Sequence, residues 1–151
     1  LKGLDDLNDN VLLIATTNLF NQFDKALIRR FDSIIDFNRY TRDDLTDVAE
    51  AILNFYLTKF KSVGKNTRLF RKIISSMETI PYPGDLKNII KTSLAFSNAN
   101  DEYDYLRRLY KTVSNNKNND LTVLKEHGFT VREIEILTGI SKSQVGRELK
   151  G

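Results

Sequence analysis

The sequence predicts a mainly α-helical protein in which a short α/β remnant precedes two helical bundles. Two apolar runs near the start, residues 11–16 and 33–37, have the length and β-branched content of buried strands. From residue 41 onward, apolar residues recur at helical spacing. We expect four parts: the α/β remnant over residues 1–40, a four-helix bundle over 41–113, a linker over 114–120 and a three-helix unit over 121–151.

The composition is that of an ordinary soluble globular chain. Of the 151 residues, 40% are hydrophobic and 28% are charged, which is enough apolar material for a core. The chain has no Cys and one His, so disulfides and thiolate metal sites are excluded and we expect no metal site. No apolar run approaches the ~20 residues of a membrane span, and we expect a cytoplasmic protein without membrane contacts. The net charge of +3 is only a weak indication of nucleic acid.

Start and stop signals locate the expected helices. Asp24 can cap a short helix that ends near Arg30, because a carboxylate accepts backbone N–H groups at a helix start. Thr41 can cap the first bundle helix in the same way. The second bundle helix starts near Thr67, and the turn at residues 81–84 (PYPG) precedes the third. The remaining helices are expected at residues 101–113, 121–126, 131–138 and 141–150, with the Asn-rich linker before the last three.

Asn18 and the paired arginines Arg29 and Arg30 form the first candidate site. Asn18 follows the first predicted strand, and ligands of α/β sheets bind at the carboxyl ends of strands. Its amide can both donate and accept hydrogen bonds, which suits a residue that orients water beside a phosphate. Arginine is suited to stabilising charge during phosphoryl transfer. The alternative is that Asn18 caps a turn and the arginines form surface salt bridges.

The whole stretch IATTNLFNQFDKALIRRFDSIIDF resembles the second region of homology of classical AAA ATPases. That pattern runs from "ATN" to "LDPALLRRFD", and here Lys25 replaces the usual Pro and Phe23 the usual Leu. The resemblance implies that Asn18 is the sensor-1 residue. It also implies that Arg29 and Arg30 are arginine fingers acting on the neighbouring subunit of a ring or spiral oligomer, usually of six subunits, with ATP and Mg²⁺ as cofactors. The matching positions are Asp24, Ala26, Leu27, Arg29, Arg30, Phe31 and Asp32.

The four-helix bundle resembles the helical lid of AAA+ modules, and PYPGDLKNIIK is similar to the sensor-2 motif of that lid. Gly84 and Asp85 fit the motif, and Lys87 stands where the family has Arg. The resemblance implies that these three residues contact the nucleotide. Lysine is a point charge without the bidentate fork of arginine, so a solvated surface lysine is the alternative for Lys87.

The motifs that hold nucleotide phosphates and magnesium are not in the sequence. None of the seven glycines begins a GxxxxGK[ST] pattern, whose backbone amides wrap phosphates. No apolar strand ends in Asp-Glu. We therefore interpret the chain as the C-terminal part of an AAA+ ATPase and expect it to be inactive alone.

The last segment, TVREIEILTGISKSQVGRELK, resembles a DNA-binding helix-turn-helix. Gly139 is expected in the turn, where a positive φ is needed, and Ser141 is expected to cap the second helix. That helix would present Lys142, Ser143, Gln144 and Arg147 to DNA. Glu135 departs from the motif, which usually has Ala there, and is expected to alter the helix crossing. The alternative is a three-helix packing or protein-interaction module.

Taken together, these segments predict an AAA+ ATPase that couples ATP hydrolysis in an oligomer to action on DNA. One alternative is an AAA+ protein unfoldase or chaperone whose C-terminal unit is a docking module. A second alternative is a helix-turn-helix regulator without enzymatic activity. The DNA site, the substrate and the oligomer count are not encoded in any recognisable motif.

Overall fold

The computed structural model describes residues 10–37, 39–60, 64–114 and 120–149. The chain divides into two compact units between Arg39 and Tyr40. The described residues are mainly helical, as predicted. The helices are α1 (Lys25–Ile28), α2 (Arg42–Leu57), α3 (Thr67–Ser75), α4 (Pro83–Ala95), α5 (Asp104–Val113), α6 (Leu121–Glu126), α7 (Val131–Thr138) and α8 (Lys142–Glu148).

The first unit contains α1 and a 3₁₀ turn at Phe20–Gln22, but neither predicted strand. Residues 11–16 and 33–37 lie outside regular secondary structure, and their apolar side chains are exposed, Leu12 by 84% and Ile35 by 74%. A β-strand forms only when its backbone groups pair with a neighbouring strand. The described residues provide no such pairing, so β propensity alone was not sufficient to form a strand here.

The helices α2 to α4 begin at the signals that the sequence contains, whereas α5 begins at Asp104, three residues after the predicted start, and has no side-chain cap. Thr41 and Asp44 form a reciprocal capping box at the start of α2. Pro83 occupies the first turn of α4, where its missing N–H has no helical partner to lose. Arg42, the first residue of α2, reaches the C-terminal end of α3. Its guanidinium donates hydrogen bonds to the carbonyls of Ser75, Met77 and Glu78. The start of α2 therefore lies beside the end of α3, and the two helices are antiparallel.

The core of this bundle consists of the apolar faces read from the sequence. Each of the four helices buries residues at three- and four-residue spacing, which is the pattern of one face of an α-helix. Tyr105 is also buried in this core, and its hydroxyl donates to the Gly64 carbonyl at 3.1 Å. The fully buried members are Ala49, Leu53, Leu69, Phe70, Ile73, Ile74, Leu86, Ile90, Leu94, Tyr105, Leu106 and Leu109.

The helices α6 to α8 also follow the sequence closely. The bounds of α6 and α7 are those predicted, and α8 ends two residues before the expected limit, Lys150, which lies outside the described residues. Gly128 and Gly139 separate the helices with φ of 79° and 75°, a conformation that favours glycine. Ser141 caps α8 by accepting the Gln144 N–H, as expected.

These three helices pack directly against the bundle. The Phe129 ring, 1% exposed, contacts the Tyr110 ring edge to face with centroids 5.9 Å apart. Lys72 of α3 donates to the carboxylate of Glu133 at 2.7 Å. Arg107 of α5 donates to the Ile136 carbonyl at 2.9 Å. The buried residues of α2 to α8 form one continuous hydrophobic cluster. Most of the predicted linker, residues 115–119, lies outside the described residues.

Replacing Glu133 with Gln is expected to weaken the acid sensitivity of the fold. Burial disfavours the charged carboxylate, but hydrogen bonds from Lys72 and Thr130 outweigh burial and hold the pKa of Glu133 below its ordinary value of 4.5. Because the folded state has the lower pKa, this group stabilises the fold above about pH 4.5, and its contribution disappears as the pH falls through the folded pKa. The stability gap between wild type and Glu133→Gln should therefore shrink on acidification.

The comparison requires urea unfolding of both proteins at neutral pH and at about pH 3. Glutamine retains the capping role, because an amide oxygen also accepts the N–H of the N-cap residue. The variant consequently removes the charge without removing the helix cap. A stability gap of the same size at both pH values would contradict the assignment.

Candidate functional site

A short capped turn carries the two candidate arginine fingers. The Asp24 carboxylate accepts the Ala26 N–H and so caps α1. At the other end of α1, the Arg29 N–H donates to the Lys25 carbonyl and the Arg30 N–H to the Leu27 carbonyl, each at 3.1 Å. Both arginines are exposed. The local sequence thus builds a hydrogen-bonded turn that presents two guanidinium groups at the surface of the first unit.

Asn18 lies in a bend that precedes this turn. Its side chain is exposed, and the neighbouring Leu19 N–H donates to the Thr17 hydroxyl at 2.9 Å. The bend leads into the 3₁₀ turn and then into α1. Asn18 therefore belongs to the same exposed segment as the arginines, although it does not end a strand as predicted.

The candidate sensor-2 residues lie in the first two turns of α4. Gly84 and Asp85 are in the first turn of α4, and Lys87 is in the second. All three are exposed. A Cβ added to Gly84 would meet no atom within 4 Å, so packing within the described residues does not require glycine there. The rings of Tyr40 and Tyr82 meet edge to face beside the start of this helix.

The candidate DNA-contacting residues are all exposed on α8. They are Lys142, Ser143, Gln144 and Arg147, while Val145 is fully buried. Two of the four side chains already have partners within α8. The Gln144 amide donates to the Glu148 carboxylate at 3.0 Å, and the Arg147 Nε donates to the Ser143 carbonyl at 3.4 Å.

Glu135 has a role that the sequence analysis missed. Its carboxylate accepts the backbone N–H of Lys142 at 3.0 Å, so it caps α8 from the preceding helix beside Ser141. A carboxylate at a helix N-terminus is also favoured by the helix dipole. The signal available in the sequence was an acidic residue seven positions before Lys142, across a glycine turn.

The described residues contain no group of three or more His, Cys, Asp or Glu side chains that could hold a metal ion. Within the same residues, no helix is long and apolar enough to cross a membrane. Several acidic side chains of the second unit pair with cations, as Asp47 and Glu50 do with Arg71.

One comparison with known proteins bears on the first unit. Residues 1–39 match the family model of the ATPase family associated with various cellular activities (AAA). This match covers 39 of the 151 residues and includes Asn18, Arg29 and Arg30. No curated protein and no solved structure matches the chain. The match supports the interpretation of residues 1–39 as part of an AAA-type ATPase.

Proposed function

We propose that the first unit supplies arginine fingers to the nucleotide site of a neighbouring subunit in an AAA-type ATPase. The observation that carries this proposal is the exposure of Arg29 and Arg30 at the end of a helix capped by Asp24. A guanidinium group is planar and permanently charged, so it can stabilise a phosphoryl group during transfer. Exposure suits a side chain that acts on another subunit, and the proposal therefore implies a ring or spiral oligomer.

Asn18 is proposed as the sensor-1 residue of the same segment. Its exposed amide can accept a hydrogen bond from water and donate one to a terminal phosphate. Lys87 is proposed as the sensor-2 cation, with Gly84 and Asp85 beside it on α4. The solvated surface lysine remains the alternative for Lys87. Lys87→Ala should weaken nucleotide binding by the ATPase, and unchanged affinity would favour that alternative.

The described residues are better suited to binding the phosphate groups of a nucleotide than to binding its magnesium ion. Arg29, Arg30 and Lys87 are exposed cations of the type that bind phosphate oxygens. The described residues contain no cluster of three or more His, Cys, Asp or Glu side chains that could hold Mg²⁺. In the proposed ATPase, Mg²⁺ would neutralise phosphate charge when bound, and its ligands would come from outside the described residues.

We further propose that α8 contacts DNA. The supporting observation is that Lys142, Gln144 and Arg147 are all exposed on a short helix that packs on α7. Arginine and glutamine can read base edges, and lysine can bind phosphates. Glu135 and Glu148 reduce the positive charge of this surface. Gln144 would also have to give up its hydrogen bond to Glu148 before its amide could bind a base. ATP hydrolysis in the oligomer would then be coupled to action on DNA.

Electrophoretic mobility shift of the 151-residue chain with duplex DNA tests this second proposal. Arg147→Ala is expected to weaken binding about 10-fold or more, because a bidentate base contact is lost. Lys142→Ala is expected to lower the slope of log affinity against log salt by about 1, because one phosphate contact is lost. Lys91→Ala, which removes an exposed lysine of α4, is the matched control and should change neither.

Two results would favour other functions. Absence of binding to any duplex at low salt would favour a protein unfoldase or chaperone, in which α6 to α8 form a docking module. DNA binding by a protein whose activity does not depend on Arg29 and Arg30 would favour a regulator without ATPase activity. The docking module is the second candidate because the charges at α8 balance. The cations Lys142 and Arg147 are accompanied by the carboxylates of Glu135 and Glu148.

A further inference from the structure

We infer that two cations fix α7 to the four-helix bundle α2 to α5, here called the lid, and that α8 is therefore carried as a rigid extension of this lid. The two cations are Lys72 of α3 and Arg107 of α5, and with Gly128, Glu133 and Ile136 they are here called the α7 clamp. This inference goes beyond the proposed contact with DNA, because it concerns what sets the orientation of α8. Only its consequence for DNA rests on the proposed function.

The first half of the α7 clamp acts at the start of α7. The Lys72 ammonium donates to the Gly128 carbonyl at 3.0 Å and to the Glu133 carboxylate at 2.7 Å. Glu133 in turn accepts the Thr130 N–H at 2.8 Å as part of the capping box of α7. Its side chain is 11% exposed, so little water competes for the carboxylate. One lysine thus connects α3 to both the turn before α7 and the cap of α7.

The second half acts at the other end of the same helix. Arg107 donates to the Ile136 carbonyl, which lies in the last turn of α7, where carbonyl groups lack helical partners. A cation at this position also complements the negative end of the helix dipole. Arg107 is itself held by Asp101 and Asp104. Two cations from two different lid helices therefore bind opposite ends of α7, which restrains both its position and its rotation.

The three-helix unit is too small to be stable without the lid. Residues 120–149 form only three short helices, and domains below about 40 residues usually need disulfides, metals or a partner to fold. The chain has no Cys, and the described residues have no metal-binding cluster. Phe129 instead buries its ring against Tyr110 of α5. The lid thus provides apolar surface that α6 to α8 lack.

The orientation of α8 follows from that of α7. Val145 of α8 is fully buried. The Glu135 carboxylate of α7 accepts the backbone N–H of Lys142, the first residue of α8. The turn between the two helices is fixed by the positive φ of Gly139. A movement of the lid would therefore move the exposed side of α8 by the same rotation, and a DNA duplex bound there would experience lid movement directly.

Distance measurement between spin labels tests the α7 clamp in the full chain. The absence of native Cys allows labels at Ala51→Cys on α2 and Glu148→Cys on α8, both exposed positions. The otherwise unchanged chain should give one narrow distance distribution. Lys72→Met keeps the aliphatic stem but removes both hydrogen bonds, and it should broaden the distribution. Glu133→Gln, which keeps the cap but removes the charge, should also broaden the distance distribution.

Arg71→Met is the matched control, because Arg71 is the neighbouring cation of α3 and pairs within the bundle with Asp47 and Glu50. It should leave the distribution narrow. A broad distribution in the unsubstituted chain, or equal widths for Lys72→Met and Arg71→Met, would overturn the inference. Neither result depends on DNA, so failure of the α7 clamp is distinguishable from failure of DNA binding.

A second measurement needs no substitution. All six tyrosines lie between residues 40 and 110, so the tyrosine ring resonances report on the lid. His127 is the only histidine, so its ring resonances report on α6 to α8. Urea unfolding followed by both signals should give the same midpoint. Loss of the His127 signal at a clearly lower urea concentration would show an independently unfolding unit and would overturn the inference.

Discussion

Arg29→Ala combined with Arg30→Ala is expected to reduce ATP turnover of the assembled ATPase by about 10³- to 10⁵-fold, the range found for arginine fingers. The physical reason is the loss of guanidinium charge that stabilises the transferring phosphoryl group. Nucleotide binding should change much less, because a finger acts mainly on the transition state. Steady-state hydrolysis and a nucleotide-affinity measurement on the same preparation separate the two effects, and the single variants show which arginine carries the larger share.

Arg39→Ala is the control for this experiment. Arg39 is an exposed arginine of the same unit, paired at 3.5 Å with Asp36, and it lies outside the motif that carries the proposal. Its removal should leave turnover within about threefold of wild type, since surface ion pairs contribute little to stability. Equal rates for the double variant and wild type in the assembled oligomer would exclude the finger assignment.

Phe129→Ala is expected to lower the free energy of unfolding of the second unit by about 3 to 5 kcal/mol, the usual cost of truncating a buried Phe. Phe129 is 1% exposed and packs between the three-helix unit and Tyr110 of the four-helix bundle. Its loss removes both the buried area and an edge-to-face ring contact. Because small domains have about 5–15 kcal/mol of stability in total, this one change is expected to leave the fold marginal.

Phe96→Ala provides the comparison for that value. Phe96 is 69% exposed at the end of α4, so its truncation removes the same atoms without creating a buried cavity. Its effect should lie within the ±0.5 kcal/mol or so typical of surface positions. Urea unfolding of the full chain measures both variants. Similar losses for the two would contradict the packing of α6 to α8 on the four-helix bundle.

The helices of this protein could be predicted because their signals are local. Thr41, Asp24 and Ser141 accept backbone N–H groups a few residues ahead, and this chemistry is visible in any short stretch of sequence. Gly139 likewise adopts the positive φ expected in its turn. The apolar faces of α2 to α5 have the helical period, so their burial followed from spacing alone.

The features that could not be predicted depend on partners distant in sequence. Lys72 and Glu133 are 61 positions apart, and no local pattern relates them. Residues 11–16 have the composition of a strand, but a strand also needs neighbours to pair with. Arg29, Arg30 and Asn18 were identified through a resemblance to a known motif, and their exposure, which carries the proposed role, became visible only in the structure.

A mixed-subunit assay tests the central proposal, that the arginines act on a neighbouring subunit, most directly. One partner carries Arg29→Ala and Arg30→Ala, and the other keeps both arginines but cannot bind ATP. Each homo-oligomer should be inactive. A random one-to-one mixture should regain about a quarter of wild-type turnover, because about half the sites bind ATP and about half of those face an intact neighbour in a head-to-tail ring. A mixture as inactive as its components would contradict action between subunits.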